Sequence, residues 1–142
     1  MPVPFEGGCL CGAIRYRVTQ EPLGVVICHC TNCQKQTASD RSPIMFVPVD
    51  GLEFTKGETK TLRVQGSSGN MQSRHFCGNC GSPIMTQPDA RPEIRTMKIG
   101  TIDDPSWLKP SAHIWVASAP PYALIDDDLP HHPGNLPPPS DS

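Results

Sequence analysis

Cys28-His29-Cys30-Thr31-Asn32-Cys33 places three thiols within six consecutive positions, and two shorter groups accompany it, Cys9-Leu10-Cys11 and Cys77-Gly78-Asn79-Cys80. Together they hold all seven cysteines of the chain, an odd number. A disulfide within Cys9/Cys11 or Cys28/Cys30 would close a small, strained ring, so thiolates held by metal explain the pattern better. Zinc prefers four tetrahedral ligands with Zn–S near ~2.3 Å, and a C-x-x-C turn brings two sulfurs to one ion. Gly78 and Gly81 suit the tight backbone of such a turn. Seven thiolates divide as four plus three. Cys28, Cys30 and Cys33 can meet at one ion without long-range folding. By elimination Cys9, Cys11, Cys77 and Cys80 form a four-ligand structural zinc site that ties the N-terminal strand to a hairpin far along the chain. A three-ligand site keeps one tetrahedral position for water, a carbonyl or a thiol, which makes Cys28, Cys30 and Cys33 the catalytic candidates. Three thiolates on Zn²⁺ leave a charge of about −1, a softer and less acidifying site that suits a thiol better than a hydrolytic water. His29 faces away if the segment is extended, because neighbouring side chains alternate between faces.

Working outward, apolar residues recur at period two between Gly, Pro and Asp, the signature of short strands. Ile14, Tyr16 and Val18 alternate with Arg15 and Arg17, and Val25-Val26-Ile27-Cys28 is the expected partner of that strand. Further runs cover 44–49, 52–55, 60–64, 71–77, 84–86, 94–99 and 113–116. Thr31 to Ser39 is the best helix candidate, one or two turns with Thr31 as N-cap. The domain is expected to be mainly β with little helix. Pro43, Pro48 and Pro83 suit edge strands or bulges.

The chain of 142 residues is one domain, with 37% hydrophobic residues, 17 Pro and 12 Gly, too apolar-poor for a large core. Structural zinc would substitute for part of that core, contributing on the order of 10 kcal/mol to folding. Twelve basic against 14 acidic side chains give a net charge of −2, which argues against nucleic-acid binding. Met1-Pro2-Val3-Pro4-Phe5-Glu6 lacks the features of a secretory signal and no apolar stretch has the length of a membrane span, so a cytoplasmic location, where disulfides are rare, is expected. Residues 1–130 form the domain and the Pro-rich 131–142 is expected to be a disordered tail.

The remaining chemistry-bearing residues have ordinary explanations. His75 packs beside its strand or orients a sulfur. His113 enters a strand, from which its imidazole could reach the three-ligand site, and His131 and His132 are solvated. Asp103 and Asp104 precede Pro105 in a turn, and Asp126, Asp127 and Asp128 form a solvated run. Arg15, Arg17, Lys35, Arg41 and Arg74 flank the cysteine groups and could meet a carboxylate substrate.

These residues together resemble the glutathione-dependent formaldehyde-activating enzyme (GFA) family, which includes the centromere protein V relatives. The resemblance runs from Gly7-Gly8-Cys9-Leu10-Cys11-Gly12 to Asp127-Asp128-Leu129-Pro130. Between them lie Cys28 to Cys33, Phe76-Cys77-Gly78-Asn79-Cys80-Gly81-Ser82, Gly100-Thr101-Ile102-Asp103-Asp104-Pro105 and His113-Ile114-Trp115. It implies a β-tent fold of several small coiled antiparallel sheets stapled by zinc, with one zinc on Cys9, Cys11, Cys77 and Cys80 and a second on Cys28, Cys30 and Cys33. It also implies a carbon–sulfur lyase that joins glutathione to formaldehyde, giving S-hydroxymethylglutathione. The partners are then a small thiol and an aldehyde, with no nucleic acid and no membrane; the oligomeric state stays open, a homodimer among the alternatives. After Cys33 many relatives carry two basic residues, where this chain has Gln34-Lys35-Gln36, and Tyr122 stands where a Trp often follows Pro. A zinc-stabilised scaffold without turnover is the alternative from another class. Methionine sulfoxide reduction would need a reactive cysteine outside the structural zinc site, usually late in the chain, and none follows Cys80.

Overall fold

A computed structural model describes residues 2–137. Ten strands and one α-helix are present among them: β1 Phe5–Gly8, β2 Arg15–Val18, β3 Gly24–Cys28, α1 Thr31–Thr37, β4 Ser42–Pro48, β5 Leu52–Lys56, β6 Lys60–Gln65, β7 Met71–Phe76, β8 Pro83–Pro88, β9 Ile94–Lys98 and β10 His113–Ile114. The chain is mainly β, as its periodicity dictates. Three strands form a sheet of order β1-β2-β5, and seven form another of order β10-β3-β4-β9-β8-β7-β6. Every pairing is antiparallel except β10 with β3, which is parallel.

Two expectations about these strands change. β2 does not pair with β3; it lies between β1 and β5. At the exit of β2 the Thr19 N–H donates to Gly51 O at 2.8 Å, drawing the chain toward β5, while the Leu23 N–H donates to Phe46 O at 2.8 Å and starts the β3–β4 ladder. The prolines of β4 do not mark an edge strand either, because β4 lies between β3 and β9. Pro43 and Pro48 are tolerated near its two ends, where few ladder bonds are needed, and Pro83 opens β8 beside the irregularity between His75 and Phe76.

The β3–β4 pair is buried on both faces, and its register sorts the residues. Val25 pairs with Met45 and Val26 with Ile44. Val25, Met45 and Val47 join Phe5, Tyr16 and Val18 of the other sheet, with Ile84, Met97, Cys9 and Cys77, in a first core. Val26, Cys28 and Ile44 point to the opposite face and join Cys30, Cys33, Ala112 and Ile114 in a second. Fully buried Met45, Val47, Ile84 and Met97 each contribute about 1.5–3 kcal/mol through lost apolar surface. The close approach of β1 to its neighbours requires Gly7, where a Cβ would lie 2.4 Å from both Thr101 O and Tyr16 Oη.

The ordered chain continues past 130. His113 N–H donates to Pro130 O, His132 N–H to His113 O and Trp115 N–H to Gly134 O, each at 2.9 Å, so this segment runs beside β10. The expected disorder from 131 onward therefore does not hold for 131–135. These backbone groups are taken up by the free edge of β10, which composition alone does not reveal. Residues 138–142 of the expected tail lie outside the described residues.

Candidate metal centres

The sulfurs gather in two groups, Cys9, Cys11, Cys77 and Cys80 in one and Cys28, Cys30 and Cys33 in the other, with all ligand atoms of a group within 4.8 Å of one another. All seven cysteines are free of disulfides. Either group could hold a metal ion.

The four-cysteine group is built by two loops that the first core brings together. Cys9 and Cys11 leave β1, and Cys77 and Cys80 form the turn between β7 and β8. Cys9 Sγ lies 3.6 Å from Cys11 Sγ, which lies 3.8 Å from Cys77 Sγ. Backbone N–H groups point at the sulfurs: Ile14 N at 3.2 Å from Cys9, and Asn79 N and Cys80 N at 3.4 and 3.5 Å from Cys77. Asn79 Nδ2 adds a donor 3.2 Å from Cys11 Sγ. Gly81 closes the turn at φ 82°, a conformation that favours glycine, and its N–H donates to Cys77 O at 2.8 Å. The Ser82 side chain, 3.2 Å away, is the largest influence that brings the Cys80 thiol down to about 5. Cys11 is exposed and Cys80 half-buried, so water shares in solvating this group.

The three-cysteine group is buried throughout. Cys28 ends β3, and α1 begins immediately after Cys30. Cys30, not Thr31, is the N-cap: its sulfur accepts from Cys33 N–H at 3.3 Å, so a thiol that faces the site also starts the helix. Ala38 ends the helix in the left-handed region, its N–H donating to Gln34 O. Register across the large sheet places Cys28 opposite Ser42, Ile44 opposite Lys98, Phe46 opposite Thr96, Thr96 opposite Thr86 and Thr86 opposite Arg74. Alternation along each strand puts these residues on the face that carries Cys28.

Arg74 and Lys98 are only 4% and 5% exposed and converge on Cys33. Lys98 Nζ donates to Cys33 Sγ at 3.5 Å and to Ser42 Oγ at 3.1 Å. Both terminal nitrogens of Arg74 lie 3.9 Å from Cys33 Sγ, and Nη1 donates to Gln36 Oε1 at 2.7 Å. Cys33 is held well below the ordinary thiol range, first by hydrogen bonds from Cys28 and Cys30 and then, against burial, by the charges of Lys98 and Arg74. Cys28 is pushed the other way by its hydrogen bonds to Cys30 and Cys33 and by burial.

Of the flanking basic residues, Arg74 alone touches a cysteine sulfur. Arg15 pairs with Asp103 and Arg41 with Asp40. Arg17 lines a separate surface cleft with Pro4, Glu6 and Trp107. Lys35 lines a cleft along α1 with Gln34, Ala38, Ser39, Asp40 and Tyr122. Lys98 was not among the sequence candidates. Its place in Ile94-Arg95-Thr96-Met97-Lys98 reads as the solvent side of an alternating strand, and only the covering helix makes that side an interior.

The histidines form a second unexpected feature. His29 is fully buried and faces away from the sulfurs, as alternation requires. Its Nε2 lies 3.0 Å from His113 Nδ1, and His113 Nε2 lies 3.3 Å from Asp126 Oδ2. A carboxylate only accepts, so His113 carries its proton on Nε2, and its bare Nδ1 accepts from His29 Nε2–H. His29 Nδ1 then has no proton and no partner among the described residues. Burial brings the His29 imidazole down to about 4, consistent with a neutral ring. His113 therefore reaches His29, not the sulfurs. His131 is not simply solvated: its Nε2 donates to Asp126 O at 2.6 Å. Asp126 lies in the exposed acidic run as expected, and its carboxylate also ends this chain of bonds. His75 bonds Thr59 Oγ1 through Nδ1 at 2.8 Å and packs beside its strand.

Fold and site together define a mainly β protein with two thiol-rich groups able to hold metal, one at the surface and one beneath a short helix. Residues 4–118 match the model of the glutathione-dependent formaldehyde-activating enzyme family. The chain belongs to this family. It is 26% identical over 127 residues, 86% of this chain and 81% of the other, to a Halomonas elongata protein to which glutathione-dependent formaldehyde activation is provisionally ascribed. A crystal structure of a Rhodobacter sphaeroides protein shares the fold, with a TM-score of 0.55 at 20% identity over 74% of this chain and 91% of that one. No helix among the described residues is long and apolar enough to cross a membrane.

Proposed function

We propose that this chain is a zinc-dependent carbon–sulfur lyase of the cytoplasm that joins glutathione to formaldehyde, or another small aldehyde, and runs the reverse reaction. The observation that carries the proposal is the buried trio of Cys28, Cys30 and Cys33 with Arg74 and Lys98 against it, in a chain of this family. A tetrahedral zinc with Zn–S of ~2.3 Å sets its sulfurs about 3.8 Å apart. The 3.6 and 3.8 Å separations among Cys9, Cys11 and Cys77 fit that ion, and those three with Cys80 complete a closed structural site. Cys28, Cys30 and Cys33 supply three ligands to the second ion.

When bound there, zinc supplies a position at which a thiol is stabilised as thiolate. The chain's own groups do the rest. Lys98 and Arg74 hold the Cys33 sulfur with their N–H groups, Cys30 fixes the start of α1, and the Asp126–His113–His29 bonds hold the backbone between Cys28 and Cys30. The thiolate sulfur adds to the aldehyde carbon, forming the C–S bond; the carbonyl π pair moves to oxygen, which takes up a proton equivalent to the one the thiol lost. Holding the sulfur and the carbonyl together in a water-poor site is the main source of rate. Exchange NMR between glutathione, formaldehyde and S-hydroxymethylglutathione tests the proposal. Acceleration by protein with two zinc ions per chain is expected, and fully loaded protein that leaves the spontaneous exchange rate unchanged would sink it.

A further inference from the structure

Arg74 and Lys98 are two buried cations without a carboxylate partner among the described residues. Their hydrogen-bond partners other than Cys33 are neutral, Gln36 Oε1 for Arg74 and Ser42 Oγ for Lys98. Arg74 Nε is buried with no partner among the described residues. Among the described residues the arginine ion pairs Arg15–Asp103, Arg41–Asp40, Arg63–Asp89 and Arg91–Glu93 lie toward the surface and each contains an acid. Uncompensated charge in an interior is costly, so the partner of Arg74 and Lys98 has to be sought in the cysteine trio.

The charge count decides what completes the site. Zn²⁺ with three thiolates carries about −1, and the two cations turn that into about +1. A neutral fourth ligand, whether water, imidazole or a protonated thiol, leaves this excess buried. An anionic one cancels it. The four-cysteine group shows the other solution: four thiolates on Zn²⁺ carry about −2, no Lys or Arg side chain among the described residues is hydrogen-bonded to those sulfurs, and backbone N–H groups and solvent stabilise the charge. The buried trio lacks that solvent and has cations in its place.

We infer that Arg74 and Lys98 are specificity-determining residues that select an anionic sulfur ligand, a thiolate, over neutral donors at the three-cysteine site. The inference rests on the reading that the trio holds zinc, and it assigns to two residues of the large sheet a choice that the cysteines alone do not make. Zinc's preference for soft sulfur separates thiolate from carboxylate within the anionic class.

The test uses full-length protein with zinc at the four-cysteine group and cobalt(II) at the trio, whose visible absorption reports the ligand set. Titrations at one fixed pH with 2-mercaptoethanol, imidazole and acetate rank the donors without any aldehyde or turnover. The expected result is binding of 2-mercaptoethanol at least ten-fold tighter than either imidazole or acetate. Arg74→Met and Lys98→Met should each cut thiol affinity ten-fold or more and leave imidazole affinity equal or higher, while Arg74→Lys restores most of the preference. If the methionine variants do not fold, Arg74→Gln and Lys98→Gln are titrated in their place, with the same loss of thiol preference expected. Imidazole bound as tightly as 2-mercaptoethanol, or methionine variants with an undiminished thiol preference, would overturn this inference and leave the proposed reaction standing. Failure of the wild-type trio to bind cobalt would overturn both.

Discussion

The two cysteine groups are made of the same donor and solve different problems. Cys9, Cys11, Cys77 and Cys80 sit where two loops meet at the rim of the first core, with backbone N–H groups and water around them. Cys28, Cys30 and Cys33 sit within the second core, beneath α1, with two cations in contact. The first group joins segments distant in sequence, so a metal held there would act on folding. Those of the second are neighbours in sequence, and a metal there closes almost no loop. In the proposed function the same thiolate would act as a staple in one place and as part of a reaction site in the other.

The largest expected effect tests that division directly. Cys77→Ser should remove most of a metal contribution on the order of 10 kcal/mol and leave the protein largely unfolded, whereas Cys33→Ser should keep the fold and lose one metal ion per chain. Circular dichroism with metal analysis reads both, and equal loss of structure in the two variants would break the comparison. A stepwise chelator titration of the wild type sharpens it: the first ion should leave without a change in far-UV signal and the second with unfolding.

The first core gives a pH signature of its own. Burial of Tyr16 raises its phenol to about 12, the hydrogen bond with Thr101 opposing this. The unfolded chain loses that proton first, near pH 10, so stability is intact below pH 10 and declines as pH rises toward 12. The loss is about 2–3 kcal/mol and should be smaller in Tyr16→Phe, measured by urea unfolding across that range. For the second core, His113→Phe leaves the buried His29 Nε2–H without its acceptor and should cost about 1–3 kcal/mol. The same variant should weaken metal retention at the trio while the four-cysteine group stays loaded. The smallest effect belongs to Asn79→Ala, which removes one exposed N–H···S contact to Cys11 and should cost below about 1 kcal/mol, with both ions retained.

Much of this was legible in the residues. The alternating runs gave nine of the ten strands to within a few residues, and the spacing of the cysteines anticipated how the sulfurs group. The strand missed was β1, Phe5–Gly8, whose Gly7 and Gly8 carry no side chains to show a period. The pairing of β2 failed because proximity in sequence favours a hairpin, and the bond from Thr19 to Gly51 wins instead. Asp126 looked like one residue of a charged run, and nothing in that run marks the one carboxylate that reaches a buried imidazole. Arg74 was one of five flanking basic candidates with nothing to rank it, and Lys98 was not among them, for a related reason: period two tells which residues share a face, and says nothing of what covers it.

By itself the sequence determined the local chemistry: three closely spaced thiol groups, short strands, and a brief helix beginning at the middle group. These follow from turn geometry and side-chain alternation, which act over a few residues. Only the tertiary structure decided that a sheet face of mixed apolar and polar residues is roofed by α1, that two cations meet Cys33 there, and that the chain after 130 returns to β10. Those outcomes depend on which surfaces are removed from water together. Burial is a property of the packed whole, and it turns ordinary surface residues into the electrostatic surroundings of a site.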